Sequence, residues 1–210
     1  MRERKRDYYY RKAKEGKYRS RATFKLLQAV QKYHFLKRGD VVVDLGAAPG
    51  GWLQASREIV GNEGFVLGVD LKNVQPIEAP NVLTIVGDIA DAETHRLIET
   101  ILPSAADVVI SDVSPNVSGV WEVDHARQMD LAMTSLAFAR KFLKANGNLF
   151  VKVFQGELFE DFIDRVKRHF VRVKIVKPKA SRTKSAEIYV LGMRLKEKSR
   201  LYPRAHDLLQ

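Results

Sequence analysis

The sequence predicts an α/β fold: a mostly parallel sheet with helices on both faces and a last strand that runs antiparallel. Three observations carry this expectation. Strand-length apolar runs alternate with helix-length segments along most of the 210 residues, the pattern of a parallel sheet covered on both sides. The first run ends in an acid and a loop of small residues, VVVDLGAAPGG at Val41–Gly51, which places a ligand loop at the carboxyl end of a strand. The last two runs are joined by a basic loop with no helix between them, so they pair as a hairpin and one of them opposes the rest.

The elements follow in order. SRATFKLLQAVQKYHFL reads as a helix, with Ser20 as its N-cap and Phe24, Leu27, Val30 and Phe35 apolar at helical spacing. Strands are expected at Val41–Leu45, Phe65–Val69, Val82–Val86, Asp107–Ser111, Asn148–Phe154, Val171–Val176 and Ile188–Met193. Helices are expected near 51–60, 91–101, 124–144 and 157–169. The organisation expected is a basic extension over 1–19, one domain over 20–196 and a polar tail over 197–210.

Composition narrows the function. No apolar run approaches the ~20 residues that span a bilayer, and the basic start has no apolar segment behind it, so a cytoplasmic location is expected. Cys is absent, which excludes disulfides and thiolate metal sites. The net charge of +11 is unevenly placed, because residues 1–21 hold ten Lys or Arg against three acids. Tyr8, Tyr9, Tyr10 and Tyr18 lie among them. Cations contact phosphates and aromatic faces stack on unpaired bases, so nucleic acid is an expected partner. A second basic cluster, KPKASRTK at Lys177–Lys184, points the same way.

The loop GAAPGG suits a nucleotide-like ligand, since Gly46, Gly50 and Gly51 let the backbone come close. It lacks the spacing of a dinucleotide fingerprint and the Gly-Lys-Ser/Thr of a phosphate loop. Asp44 within the motif would repel a pyrophosphate and suits a cation, such as the amino group of S-adenosylmethionine. Asp70 ends the second strand, where an acid accepts ribose hydroxyls. Asp88 follows the third strand and is placed for an adenine amino group, and Asp112 ends the fourth.

Lys152 lies inside the apolar strand NLFVKVFQG, and a lysine buried in a strand is rare unless paired or functional. Lys25 interrupts an apolar helix face, and Glu187 opens the last strand. The five histidines have no ligand spacing, so no metal is expected.

SRATFKL, VVDLGAAPGGW, GDI, SDVSPNVSG, VKVFQGE and SAEIYV occur in an order and spacing that resembles the FtsJ-like RNA ribose 2′-O-methyltransferases, over about Ser20 to Leu195. The resemblance implies a Rossmann-like class I methyltransferase fold with seven strands, the last antiparallel. It implies S-adenosyl-L-methionine as cofactor. It places a catalytic tetrad on Lys25, Asp112, Lys152 and Glu187. Cofactor contacts fall on Gly50, Trp52, Asp70, Asp88 and Asp112, and the motif loop adds Asp44, Gly46, Ala47, Pro49 and Gly51. For Trp52 the residues alone leave core packing and cofactor contact equally open.

The subgroup motifs DLGAAPGGW, SPNVSG and VKVFQG look like the ribosomal type, which methylates a uridine of large-subunit ribosomal RNA. A transfer RNA substrate is the alternative, and a non-catalytic ribosome-assembly role a lesser one. DYYYRKAKEGKYRSR looks archaeal or eukaryotic. A monomer is expected. Lys152 is expected either to draw the proton from the ribose hydroxyl or to orient and stabilise the oxygen, with Lys25 as its cationic neighbour.

Overall fold

The computed structural model describes residue 15, residues 18–181 and residues 185–197. Tyr8, Tyr9 and Tyr10, the part of the second basic cluster at 182–184, and the tail from 198 lie outside the described residues. The elements run α1 (Thr23–Tyr33), β1 (Val41–Leu45), α2 (Gly51–Val60), β2 (Phe65–Asp70), β3 (Val82–Val86), α3 (Ala92–Ile101), β4 (Ala106–Ser111), α4 (Trp121–Phe142), β5 (Leu143–Phe154), α5 (Phe159–His169), β6 (Phe170–Val176) and β7 (Glu187–Leu195). Among them no helix is long and apolar enough to cross a membrane.

The strands form one seven-stranded sheet in the order β3-β2-β1-β4-β5-β7-β6. β1 to β5 pair in parallel, whereas β7 runs antiparallel to both β5 and β6. The antiparallel last strand is therefore an interior strand, inserted between β5 and β6. The chain enters it from the 177–186 connection, which is too short to cross the sheet and come back parallel.

Strand alternation sorts the core into two layers. Val41, Val43, Leu45, Val109, Leu149, Val151 and Val190 pack with α3, α4 and α5. Val42, Ile110, Phe150, Tyr189 and Leu191 pack with α1 and α2 on the opposite face. β1 and β4 are apolar on both faces because helices cover both sides.

The first helix starts later than its sequence suggests. Ala22 precedes α1 with a helical backbone and without a side-chain cap. The Ser20 hydroxyl instead accepts from the Ala22 N–H at 2.9 Å, so it shapes the turn before the helix rather than capping it. His34, in the left-handed region at φ 52°, ends α1 and donates its N–H to the Val30 carbonyl at 2.8 Å. Tyr18 and Arg19, which the sequence places in the basic extension, are bonded to the domain. The Tyr18 hydroxyl donates to Glu58 at 2.6 Å, and the Arg19 N–H donates to the Gln54 side chain at 2.8 Å.

Core packing and the Tyr18 contact can each be tested. Phe170 is fully buried and its ring occupies the space beside Gly192, where a Cβ would sit 2.8 Å from it. Phe170→Ala should cost about 3–5 kcal/mol, read as a lower thermal midpoint. Burial first, then Glu58, pushes the Tyr18 phenol up from 10.0 to about 12. The neutral phenol is thus favoured by folding, so its contribution is complete below pH 10 and is lost as pH rises through about 12. A spectroscopic tyrosinate titration should show late phenols, one of which Tyr18→Phe removes.

Candidate active site

The site forms where β4, β5 and β7 end together. Ser111 pairs with Val151, so the next residue, Asp112, emerges beside Lys152. Lys152 in turn pairs with Tyr189, and Phe154 with Glu187. By alternation Asp112 follows Ile110, Lys152 follows Phe150, and Glu187 precedes Tyr189, all towards the face covered by α1 and α2. Lys25 comes down from α1 onto that same face.

The side chains meet as two ion pairs. The Lys152 ammonium lies 3.2 Å from Asp112 Oδ1 and donates to the Asp112 backbone carbonyl at 2.6 Å. The Lys25 ammonium lies 2.7 and 2.8 Å from the two oxygens of Glu187. Lys152 is 5% exposed and Lys25 8%, and such burial is tolerable because each charge has its counter-charge. β5 is an interior strand, so Lys152 is not an edge lysine reaching for water.

Tyr189 joins the pairs and carries no signal in the sequence beyond an ordinary strand aromatic. Its hydroxyl donates to Asp112 Oδ1 at 2.7 Å, and its ring lies 5.7 Å from the Lys25 ammonium. Burial pushes the phenol well above its usual range, and the Asp112 and Glu187 charges push further. It therefore stays a neutral donor between two carboxylates. Gln128, on α4, is a second residue that sequence reasoning missed. Its amide donates to the carbonyls of Val113 at 3.2 Å and Lys152 at 3.1 Å, which ties the two strand ends together.

The glycine loop lies next to this constellation. A Cβ on Gly46 would sit 2.8 Å from the Val113 side chain, one on Gly50 2.7 Å from the Arg19 guanidinium, and one on Gly51 2.6 Å from the Thr23 hydroxyl. The bare positions admit close approach of the chain's own neighbours. Gly46 and Gly50 also have positive φ, 74° and 105°, which favours glycine. Arg19 straps the loop: its guanidinium donates to the carbonyls of Gln75, of Pro76 at 2.7 Å and of Pro49 at 3.4 Å.

Trp52 is a core residue. Its ring stacks 5.8 Å from Phe150, its indole N–H donates to the Ala22 carbonyl at 2.8 Å, and 4% of it is exposed. The side chain anchors the start of α1, and so Lys25. Ala47 is likewise buried.

The acids occupy the expected strand ends. Asp70 accepts the Ala48 N–H at 2.9 Å and the Lys72 N–H at 2.8 Å. Asp88 is exposed and accepts the Ala90 N–H at 2.9 Å. Asp44 is fully buried, and both its oxygens lack a hydrogen-bond partner. Burial drives its carboxyl well above the carboxylate range, and the Asp112 and Asp70 charges add to the shift. Lys177, beside the tetrad, donates to the carbonyls of Ser185 at 2.6 Å and Glu187, and burial lowers its ammonium.

The folded state holds Asp44 protonated more tightly than the unfolded chain does. Its contribution to stability is therefore complete below the unfolded carboxyl pKa of about 4 and is lost as pH rises through the folded value. Asp44→Asn should remove that loss. Thermal midpoints of the variant relative to the native protein should rise progressively between acid and neutral pH.

Comparison with known proteins matches this chain to one family. The model of the FtsJ-like methyltransferases matches residues 18–195. The chain is 52% identical over 190 residues to the ribosomal RNA large subunit methyltransferase E of Methanococcus aeolicus, covering 90% of this chain and 71% of that protein. It is 51% identical to the protein of the same name from Methanocaldococcus jannaschii, covering 91% and 80%. Among solved structures, a Plasmodium falciparum protein described as a ribosomal RNA methyltransferase superposes with a TM-score of 0.74 at 28% identity, covering 85% of this chain and 98% of that one. Aeropyrum pernix fibrillarin, solved with S-adenosyl-L-methionine, shares the fold at a TM-score of 0.61 and 20% identity, covering 84% and 75%. Sheet order, the linked motifs and these matches lead to one conclusion: the chain belongs to the FtsJ-like methyltransferase family.

Proposed function

We propose that the protein transfers a methyl group from S-adenosyl-L-methionine to the 2′-hydroxyl of a ribose, in a uridine of large-subunit ribosomal RNA. The observation that carries this reading is the pairing of two buried lysines with two carboxylates at the ends of β4, β5 and β7. The names of the archaeal relatives support ribosomal RNA as the substrate.

The residues present fit the cofactor. Asp70 and Asp112 crowd negative charge around the glycine loop, and Asp44 has two buried oxygens without partners, a carboxyl whose ionisation a bound cation would favour. A ligand carrying an ammonium and a sulfonium suits that donor set, whereas a pyrophosphate would be repelled. Asp44, Asp70 and Asp88, with the backbone of Gly46, Ala47, Pro49 and Gly50, would hold it. When bound, it supplies a methyl group on a sulfur that leaves as a neutral thioether, so the chemistry asks for no metal.

The protein's share is alignment and charge. An ammonium has three donors; the Asp112 carbonyl takes one from Lys152, and Asp112 Oδ1 pairs with its charge. A further donor is left for the 2′-oxygen, where Lys152 orients the hydroxyl and stabilises the negative charge on the oxygen as its bond to the methyl carbon forms and its proton passes to solvent water. Asp112, fixed by Tyr189 and Lys152, sets the direction of that donor. Lys25 and Glu187 close the other side of the substrate position. The extension over 1–19 contacts RNA phosphates, and the domain over 20–196 carries the chemistry. The charge of the extension and the bonds that tie its end at Tyr18 and Arg19 to the domain support this division.

Incubation with methyl-labelled cofactor and three acceptors tests the reading: large ribosomal subunits, their extracted RNA and transfer RNA. Label is expected on ribose of the large-subunit RNA. Lys152→Ala should lower the rate by about 10²–10³ while cofactor binding persists. Label confined to transfer RNA would contradict the substrate, and undiminished turnover by Lys152→Ala would contradict the residue assignment.

A further inference from the structure

An aromatic platform stands at the lip of the site, and neither the tetrad nor the cofactor loop uses it. Trp121 opens α4 and is 45% exposed. Its ring lies nearly parallel to Phe154 at 6.0 Å and to His125 at 5.6 Å, both at 19°. Phe154 is the last residue of β5 and pairs with Glu187 of the tetrad. Val117, Val120 and Leu158, all exposed, extend the apolar surface beside it.

The platform is built rather than incidental. The segment that leaves Asp112 reaches Trp121 through a loop whose shape Asp124 fixes. The Asp124 carboxylate accepts from the Ser118 N–H at 2.7 Å, the Ser118 hydroxyl at 2.8 Å and the Gly119 N–H at 3.0 Å. On the other side the Leu158 N–H donates to His125 Nε2 at 3.1 Å. Gly156 makes room for that ring, since a Cβ there would meet it at 2.7 Å. Two strand ends of the site thus continue into two loops, and both loops are locked to the helix turn that presents Trp121.

We propose that Trp121 is the stacking surface for an unpaired base of the RNA adjacent to the ribose being methylated. This rests on the proposed RNA methyl transfer and adds the specificity element that holds the nucleotide. A flat aromatic face accepts any base plane. Its place between the strand carrying Lys152 and the loop leaving Asp112 gives it the reach of one nucleotide neighbour. The apolar rim and the planar ring favour a base over a phosphate.

The two tryptophans make the test direct, because Trp52 is buried and Trp121 is exposed. Titration of the native protein with a short single-stranded oligouridine should quench the tryptophan emission, and Trp121→Phe should abolish that quenching. In methyl transfer to extracted large-subunit RNA, Trp121→Ala should raise the KM for RNA about tenfold or more. The KM for the cofactor and the thermal midpoint should not move, and Trp121→Phe should restore most of the affinity. An unchanged RNA KM in Trp121→Ala, with no quenching in the native protein, would overturn the proposal. So would a defect seen with assembled subunits and absent with extracted RNA, which would make the occupant a protein surface. Absence of methyl transfer by the native protein would overturn the parent reading alone, and the quenching experiment would then decide the platform.

Discussion

The ion pair between Lys152 and Asp112 is the constraint on which the site depends. A lysine in the interior strand of a sheet is tolerable only where its charge is met. Asp112 meets it because β4 and β5 run in register and Asp112 lies one residue past the Ser111–Val151 pair. The insertion of β7 beside β5 then brings Glu187 and Tyr189 to the same place. Lys25 arrives from outside the sheet, on a helix held by the Trp52 indole through Ala22. Remove the register and each of these groups becomes a buried charge or a buried hydroxyl without a partner.

The glycine loop and the acid beneath it divide the work of the cofactor side. The glycines serve close packing of the chain against itself, by Val113, Arg19 and Thr23. That packing fixes a loop between the carboxylates, and it couples the loop to the segment from Tyr18 to Thr23. Asp44 remains the one acid there with nothing bonded to it, under the influence of Asp70 and Asp112. An excess of negative charge at a strand end is a costly arrangement for the fold alone and a favourable one for a cation.

Much of the architecture was legible in the sequence, for a physical reason. Strands apolar on both faces, such as VVVDL and DVVIS, read as unbroken runs, and β1 and β3 have the expected bounds. The tetrad was legible because a charge inside an apolar run, as at Lys152, is costly enough to stand out, and because the linked motifs resemble one family. Tyr189 was not, since an aromatic in EIYV is what any strand carries, and only the ladder shows its hydroxyl meeting Asp112. Gln128 was hidden for a similar reason: its partners lie on other elements. The protein neighbours of Gly51 and Trp52, Thr23 and Phe150, were not legible, because a sequence does not say what a missing Cβ or a large ring faces. Ser20 looked like a cap and shapes the preceding turn.

The central claim is that Lys152 and Asp112 act as one unit in the reaction. A double-mutant cycle on single-turnover methyl transfer, with Lys152→Met, Asp112→Asn and the combination, tests it most directly. Partners in one unit are strongly non-additive, so the double variant should be little slower than the slower single one. Rate losses that multiply in the double variant would mean that the two residues act independently, and the ion pair would then not be the unit that aligns the 2′-oxygen.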